Sequence, residues 1–399
     1  MLRWHRMAAV LAAILLIWVS FTGTVTQLAD MRALVTHAPE TDPDMLMMRQ
    51  HIPGPPNYSV VSAPDYTAPA LPAGTDYGAS IAKAAALGRA AAPGQDLRLV
   101  EVRGAEGKLV GHVQMGDKQL AFDLADGAPL PDRFVPPPQP GRDFKSTRST
   151  WKSFHRFLFL PWGTTINFLA ALGLAALIFT GLFHYAKLYK ARAKIGRGGL
   201  WWKGGDWWRT LHRWIALGAS VLVIWLTLGG LALSLDNMGS SLHQLIGGPR
   251  APGAFDGDQS KPMTDAELAP MLATTLKAYE SAYPGTGIKV LRLRYFVGYP
   301  QGVIVAADKD SSQRVFNART GAAMKMWEPG YPDLSFPTGW DLHQKLKQFH
   351  RGDLFGLGGR WLILFAGLSL VYLSLSGVWM WFQLYRKRRG NGRKELFWK

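Results

Sequence analysis

The sequence predicts a membrane α-helical protein with four transmembrane helices, arranged as a tandem (2+2) repeat, and two small α+β domains outside the bilayer. Four apolar runs predict the helices, because each is long enough to cross a bilayer as a helix of about 20 residues. These runs lie near residues 6–29, 164–186, 213–235 and 361–384. The long segments between them are polar and contain alternating, strand-like stretches, which predict the α+β domains.

The first helix, within residues 1–29, opens with Trp4, His5 and Arg6 before it becomes apolar. The third run opens in the same way with Leu211–Trp214, and in both runs a Trp lies thirteen residues after the His. The third run lies inside the chain and cannot be a signal peptide. Its match to the first run therefore favours a retained helix at the start of the chain over a cleaved signal.

A longer internal repeat extends this match along the chain. Three histidine pairs occupy equivalent positions in the two halves: His5/His212, His37/His243 and His155/His350. Both halves enter the membrane from the same side, so the repeat is parallel, with a pseudo-two-fold axis along the membrane normal. Such an axis places equivalent residues on opposite sides of a shared centre, which is the geometry that two axial ligands of one flat cofactor require.

The two outer segments, residues 30–150 and 236–350, are predicted to form the α+β domains. Each contains a stretch with helical spacing, followed by alternating stretches typical of strands. We therefore expect each domain to place one helix against an antiparallel sheet. Pro-rich stretches at residues 51–72 and 134–143 are predicted to be extended connectors.

The second helix, within residues 151–186, and the fourth, within residues 351–384, each follow a Phe-His-Arg sequence. The loop at residues 187–212 and the tail at residues 385–399 are rich in Lys and Arg. Positive residues near membrane helices mark the cytoplasmic side, so both termini are predicted inside and the two long segments outside. The net charge of +17 is thus interpreted as a topology signal, not as nucleic-acid binding.

The chain contains no cysteine. This excludes disulfides, Cys-ligated iron–sulfur clusters, thiolate-ligated haem and the covalent attachment of c-type haem. Any metal or haem must then rest on His, Met, carboxylate or Tyr side chains. The sequence also shows no nucleophile–base constellation and no nucleotide fingerprint, so a hydrolase is the least favoured class.

Several motifs together resemble the PepSY-associated transmembrane helix family over nearly the whole chain. They are the LHRW opening at Leu211–Trp214, the outer domains that end in D-G or T-G turns, and the FHRG of Phe349–Gly352 with GLGGRW and SGVW downstream. The first half departs from the pattern, because no Gly follows Arg156. The resemblance implies two PepSY-like domains on the outer side of a bacterial inner (cytoplasmic) membrane. Characterised members are ferric-siderophore reductases that hold b-type haem.

Ionisable residues in membrane helices are functional candidates by default, and imidazoles from two helices can ligate haem iron. The predicted ligands are His5 and His212 for an inner haem b and His155 and His350 for an outer one. Each is followed by an arginine suited to the haem propionates: Arg6, Arg213, Arg156 and Arg351. His184 is a further ligand candidate or an interfacial residue. The second-tier candidates are His37, His243, His343 and Met380, of which His343 could also simply be solvated.

These observations predict an inner-membrane haem protein that carries electrons from a cytoplasmic flavin, flavoprotein or quinol donor to a periplasmic acceptor. The resemblance implies that this acceptor is a ferric siderophore, so that the activity would be that of an oxidoreductase in iron uptake. Membrane lipid is a further predicted partner, and nucleic acid is not predicted to be one. Two alternatives remain open at this point: a non-redox PepSY binding or regulatory protein, and an iron-uptake permease.

Overall fold

The computed structural model describes residues 2–38, 42–49, 63–135, 146–246, 261–296, 299–309, 311, 313–323, 340–392 and 395. The chain divides into two compact units, and each is described by itself. The helical unit comprises Met1–Ala29, Thr147–Pro249 and Asp333–Lys399, and the sheet unit comprises Asp30–Ser146 and Arg250–Pro332.

The helical unit contains long apolar helices and shorter amphipathic ones. They are α1 (Leu2–Val35, whose end belongs to the sheet unit), α5 (Thr147–His155), α6 (Gly163–Ala193), α7 (Trp207–Gly218), α8 (Ser220–Leu245), α10 (Trp340–Arg351) and α11 (Gly356–Gly390). α6 and α10 pack on α8, and α11 packs on α7 and α8. Each of the four apolar runs forms a helix long and apolar enough to cross a membrane: His5–Val35, Gly163–Ala193, Ser220–His243 and Asp353–Gly390.

The surface of this unit is apolar where lipid would surround it. Ile14 is 82% exposed, Phe179 64% and Val221 75%, although water would disfavour such exposure. Membrane-spanning helices bring these side chains into contact with lipid. The four predicted transmembrane helices are therefore confirmed as helices of suitable length and composition.

The structure differs from the sequence prediction where the transmembrane helices begin. Three of them are preceded by a separate short helix: α5 before α6, α7 before α8 and α10 before α11. Phe157 and Gly352 adopt positive φ angles of 53° and 82°, which interrupt the helical path after α5 and after α10. His155 therefore ends a short helix, and His350 lies in the last turn of another.

The sheet unit contains helices and six strands. They are α2 (Pro43–Arg49), α3 (Ala63–Thr67), α4 (Tyr77–Ala91), β1 (Leu97–Ala105), β2 (Lys108–Met115), β3 (Lys118–Asp123), α9 (Asp265–Ala282), β4 (Ile288–Phe296), β5 (Tyr299–Ala306) and β6 (Gln313–Asn317). Among the described residues, each half thus packs one long helix, α4 or α9, with three strands, as predicted. α4 begins at an Asp76 cap and α9 at a Thr264–Glu267 capping box, both of which satisfy free N–H groups at the helix start.

The strands form a single antiparallel sheet in the order β3-β2-β1-β4-β5-β6. β1 pairs with β4 in the middle, with Val102 opposite Leu291. The predicted pair of separate domains is thus one continuous sheet in the structure. Val100, Val102 and Leu291 are fully buried in the core that α4 and α9 share with the sheet.

Both predicted Pro-rich connectors belong to the sheet unit, and part of each is described. Residues 51–62 and 136–145 lie outside the described residues. Ala63–Thr67, predicted to be extended, forms the short helix α3. Pro64 lies in its first turn, where the missing N–H of proline is tolerated.

Candidate histidine sites

Three histidines line one cavity of about 370 Å³ in the helical unit. His5 comes from α1, His184 from α6 and His212 from α7, and we call this cavity the first histidine site. Most of the other lining side chains are Ala, Leu and Val. A largely apolar cavity with a few imidazoles suits a flat, mostly apolar cofactor.

The Nδ1 atoms of two of these histidines are held by hydroxyl groups. His5 Nδ1 lies 2.9 Å from Thr180 Oγ1, and His212 Nδ1 lies 2.8 Å from Ser376 Oγ. The Thr180 hydroxyl donates to the carbonyl of Ala176, and the Ser376 hydroxyl donates to its own helix backbone. Both hydroxyls therefore accept from Nδ1–H, which leaves the Nε2 lone pair of each neutral imidazole available to a metal.

A glycine lies against each of these two imidazoles. A Cβ atom on Gly181 would lie 3.3 Å from Cε1 of His5, and one on Gly377 would lie 3.8 Å from Cε1 of His212. At Gly181 a larger side chain would crowd the His5 ring. These glycines let both rings pack closely against a neighbouring helix.

The second histidine site is formed by His155 at the end of α5 and His350 in the last turn of α10. Their ring centroids are 6.5 Å apart, and the ring planes are inclined by only 24°. A histidine nitrogen binds a first-row metal ion at about 2 Å. Two imidazoles at this separation could both reach one metal ion, so His155 and His350 are candidate ligands of a shared metal.

In the second histidine site a backbone carbonyl holds the His155 ring, and a tryptophan bonds the backbone beside each histidine. His155 Nδ1 donates to the Val19 carbonyl at 3.0 Å, so its Nε2 carries the lone pair. Trp18 donates to the Phe154 carbonyl at 2.9 Å, beside that histidine. Trp225 makes the same contact with the Phe349 carbonyl at 3.1 Å, beside His350.

Glycines also lie against these rings. A Cβ atom on Gly23 would lie 2.8 Å from Cε1 of His155, and one on Gly230 would lie 3.2 Å from Cε1 of His350. The first distance is shorter than real Cβ contacts allow. All four ligand candidates therefore pack against a glycine of a neighbouring helix.

The predicted arginines of the first histidine site lie on its wall. Arg6 and Arg213 both line the cavity. Arg213 also donates to the Gly204 carbonyl at 2.7 Å and lies over the Trp202 ring at 5.2 Å. This arginine is thus partly engaged by the loop between α6 and α7.

The predicted arginines of the second histidine site are bound to protein groups. Arg156 donates to Asn237 Oδ1 at 2.7 Å. Arg351 forms an ion pair with Asp353, and Asp353 also pairs with the fully buried Arg360 at 2.5 Å. In the structure the contacts of both arginines hold helix ends together.

The remaining predicted residues have different positions. Met380 lines the first histidine site together with His184, as its repeat position suggests. His37, in the sheet unit, stacks on Tyr66 with ring centroids 3.9 Å apart. His243 lies in the last turn of α8, half-buried. None of the described contacts joins His37 or His243 to either histidine site.

His343 is buried, and the alternative that it is solvated is wrong. Its Nδ1 donates to Asp236 Oδ2 at 2.6 Å. Burial lowers the pKa of His343 to about 4, against the opposing effect of this hydrogen bond. The pair ties α10 to α8 and so supports the helix that carries His350.

The sequence analysis did not single out the groups that hold the histidines. Thr180 and Ser376 precede Gly181 and Gly377 at matching positions of the two halves. Aligning the halves at these dipeptides would have identified both pairs. His112 is buried in the sheet unit beside Glu101, and no local pattern in the sequence indicates that burial.

Comparison with known proteins identifies the family. No curated protein matches the chain. The sequence matches the PepSY-associated TM region from residue 2 to residue 383, which is nearly its entire length. The chain therefore belongs to the PepSY-associated TM family of membrane proteins.

Proposed function

We propose that the protein is a haem b electron-transfer protein of a bacterial inner membrane, which reduces an acceptor on the periplasmic side. The observation that carries this proposal is the pair of facing imidazoles at 6.5 Å and 24° in the second histidine site. Haem supplies a one-electron carrier when it is bound, and the protein supplies its ligands and surroundings.

The residues present fit this group at both sites. His5 and His212 would hold one haem, and His155 and His350 the other. Hydrogen bonds to Nδ1 fix the ring orientation of three of them and would leave Nε2 free to hold a metal. A glycine of a neighbouring helix lets each ring pack closely against that helix, which further restricts where the ring can lie.

The tandem repeat explains why the contacts occur in pairs. The same spacing separates His5 from His212 and Trp18 from Trp225. The Trp-to-carbonyl bonds and the glycine contacts recur in both halves. We infer that duplication of one helix–domain–helix unit created two sites, each shared by both halves.

The distribution of charge supports the orientation. The α6–α7 connection and the end of α11 are rich in Lys and Arg, so they belong on the cytoplasmic side. The first histidine site would then face the cytoplasm, where Arg6 and Arg213 would stand near a flavin, flavoprotein or quinol donor. The second site and the sheet unit would face the periplasm.

The acceptor is proposed to be iron held in a siderophore. Hard oxygen ligands favour Fe(III), so reduction to Fe(II) weakens the complex and releases the ion. This part of the proposal rests on the family and on the resemblance to ferric-siderophore reductases. The siderophore would be substrate, and its iron would take up one electron.

The test is a visible spectrum of the purified protein, oxidised and then reduced with dithionite, beside the variants His212→Ala and His350→Ala. We expect a b-type spectrum, part of which each variant loses. His243→Ala is the matched control and should keep the whole spectrum.

A colourless protein, purified after expression with ample haem, would contradict the proposal. It would favour a non-redox binding or regulatory role, in which the paired histidines are retained from the duplication alone.

A further inference from the structure

Two lysines lie next to the second histidine site. Lys152 is three residues before His155 on α5, and Lys347 is three residues before His350 on α10. Residues three apart share one face of a helix, about 5–6 Å from each other. Each lysine therefore lies on the same helix face as a proposed haem ligand, one turn farther towards the start of the helix.

Three arginines lie near both lysines. Both lysine side chains are partly accessible. Burial lowers the pKa of both well below the ordinary value, and the nearby cations lower it further. Those cations are Arg148, Arg156 and Arg351, and for Lys152 also Lys347, whereas Asp353 acts in the opposite direction on Lys347.

The anions of this region have partners of their own. Asp353 pairs with Arg351 and Arg360, and Asp236 accepts from His343. Among the described residues, no hydrogen bond or ion pair is formed by the ammonium group of Lys152 or of Lys347. An ammonium group withdrawn from water is unfavourable unless an anion accompanies it. The positive charges of these lysines and of the arginines near them therefore favour an anionic ligand.

We propose that Lys152 and Lys347 form a carboxylate-binding site beside the second histidine site, and that it binds the two propionates of the haem. This inference rests on the proposed function, because it needs haem at His155 and His350. Haem carries two carboxylates on one edge, and the structure offers two ammonium groups, one beside each ligand.

We therefore propose lysine in place of arginine for the propionate contacts at this site. Arg156 and Arg351, the residues predicted for this role, already bind Asn237 and Asp353. The lysines have the same spacing from the histidines in both halves and lack such partners. A flexible four-carbon stem also lets an ammonium group reach a carboxylate as a point charge.

The test is a redox titration of the purified full-length protein, followed in the visible spectrum. The Lys152→Met/Lys347→Met double variant should lower the midpoint potential of one haem and leave the other unchanged. The affected haem should be the component that His350→Ala lacks. The potential falls because positive charge near a haem favours its reduced state, and the variant removes that charge.

Two controls separate this effect from damage to the fold. Lys345→Met changes an exposed lysine of α10 and should leave both potentials unchanged. Lys152→Arg/Lys347→Arg keeps the charge and should restore the wild-type potential. Retention of the first-site haem in each variant reports that the helical unit has folded.

Unchanged potentials and unchanged haem content in the double Met variant would overturn the inference. Unchanged potentials with a raised KM for the acceptor would overturn it as well, and would assign the lysines to carboxylates of the acceptor. A colourless wild-type protein would overturn the proposed function itself. A coloured wild type with an unaffected double variant overturns only the lysine site.

Discussion

At the scale of single residues, the hydroxyls of Thr180 and Ser376 are the groups most directly tied to the proposed ligands. Each accepts a hydrogen bond from Nδ1 of an imidazole in the first histidine site. Such a bond raises the basicity of the ligand and fixes its ring. Removing the hydroxyl should therefore weaken the metal–nitrogen bond without changing the shape of the site.

We expect Thr180→Val to raise the midpoint potential of the first-site haem, because a less basic imidazole stabilises Fe(III) less well. Loss of the hydrogen-bond partner of a metal ligand weakens metal binding by roughly 10- to 100-fold, so haem should also dissociate faster. Redox titration and transfer of haem to an acceptor protein measure the two effects. Thr227→Val is the matched control, because this buried hydroxyl bonds only its own helix at Val223. Equal effects of both variants would contradict the assigned role of Thr180.

The glycine beside His155 gives a second prediction at this scale. A Cβ atom on Gly23 would lie 2.8 Å from the ring, so Gly23→Ala should displace it and reduce the haem content of the second site. Gly358→Ala adds the same methyl group to α11, where nothing lies within 4 Å of it, and should have no effect. The haem-to-protein ratio of the two variants, measured by absorbance, tests this prediction. A full haem complement in Gly23→Ala would show that the His155 ring has another position available.

The sequence predicted the histidines of both sites but not what surrounds them. Paired positions and boundary placement identify His155 and His350, because spacing along the chain is visible in a sequence. Thr180 is different, since hydroxyls in membrane helices commonly bond their own backbone, and only the structure shows that this one also faces His5. Contacts between helices depend on rotation about each axis, which the apolar pattern of a membrane helix does not define.

At the scale of elements, the helix starts and the strand pairing were the parts that the sequence could not supply. The apolar runs were found, but α5 and α7 were in part joined to their successors, and α10 was assigned to the outer segment 236–350. A turn such as that at Phe157 interrupts the backbone without interrupting helical composition. Similarly, the strands were predicted individually, whereas pairing of β1 with β4 joins residues far apart in the chain.

The β1–β4 pairing places a buried ion pair at the centre of the sheet. Arg292 Nε lies 2.5 Å from Glu101 Oε2, and both side chains are buried. Breaking a buried pair leaves an uncompensated charge, at about 3 kcal/mol or more. Glu101→Gln should therefore lower the melting temperature of the protein by roughly 6–10 °C. Thermal unfolding followed by circular dichroism measures this shift.

The control for this prediction is the surface pair of the same unit. Glu106 and Arg133 lie 3.1 Å apart with side chains 56% and 64% exposed. Exposed pairs contribute about 0–1 kcal/mol, so Glu106→Gln should leave the melting temperature nearly unchanged. Equal shifts for Glu101→Gln and Glu106→Gln would show that the central pair does not stabilise the sheet.

The same pair predicts a pH dependence. Burial alone raises the pKa of Glu101, but Arg292 and Arg103 outweigh it and hold the pKa down at about 2. A carboxyl group with a lowered pKa stabilises the fold fully above its ordinary value of 4.5. That stabilisation is lost as the pH falls towards 2. The difference in melting temperature between wild type and Glu101→Gln should thus shrink between pH 4.5 and pH 2, and a difference that grows on acidification would contradict this.

At the scale of the whole molecule, topology connects the fold to the proposed direction of electron transfer. Basic residues crowd the α6–α7 connection and the end of α11, whereas the sheet unit mixes acidic and basic residues. Because positive residues favour the cytoplasmic side, the proposed orientation has the basic segments inside and the sheet unit outside. The absence of cysteine in the natural chain allows this to be measured directly, because every introduced cysteine is the only one present.

We expect single cysteines on the two sides of the membrane to react differently in intact cells. Asp117→Cys and Lys309→Cys lie at exposed positions of the sheet unit and should react with a membrane-impermeant maleimide added outside. Gly199→Cys and Gly390→Cys, exposed at the basic segments, should react only after the membrane is permeabilised. Labelling of all four in permeabilised cells is the control for accessibility. The reverse pattern would place the first histidine site on the outer side, and the donor and acceptor would then exchange sides as well.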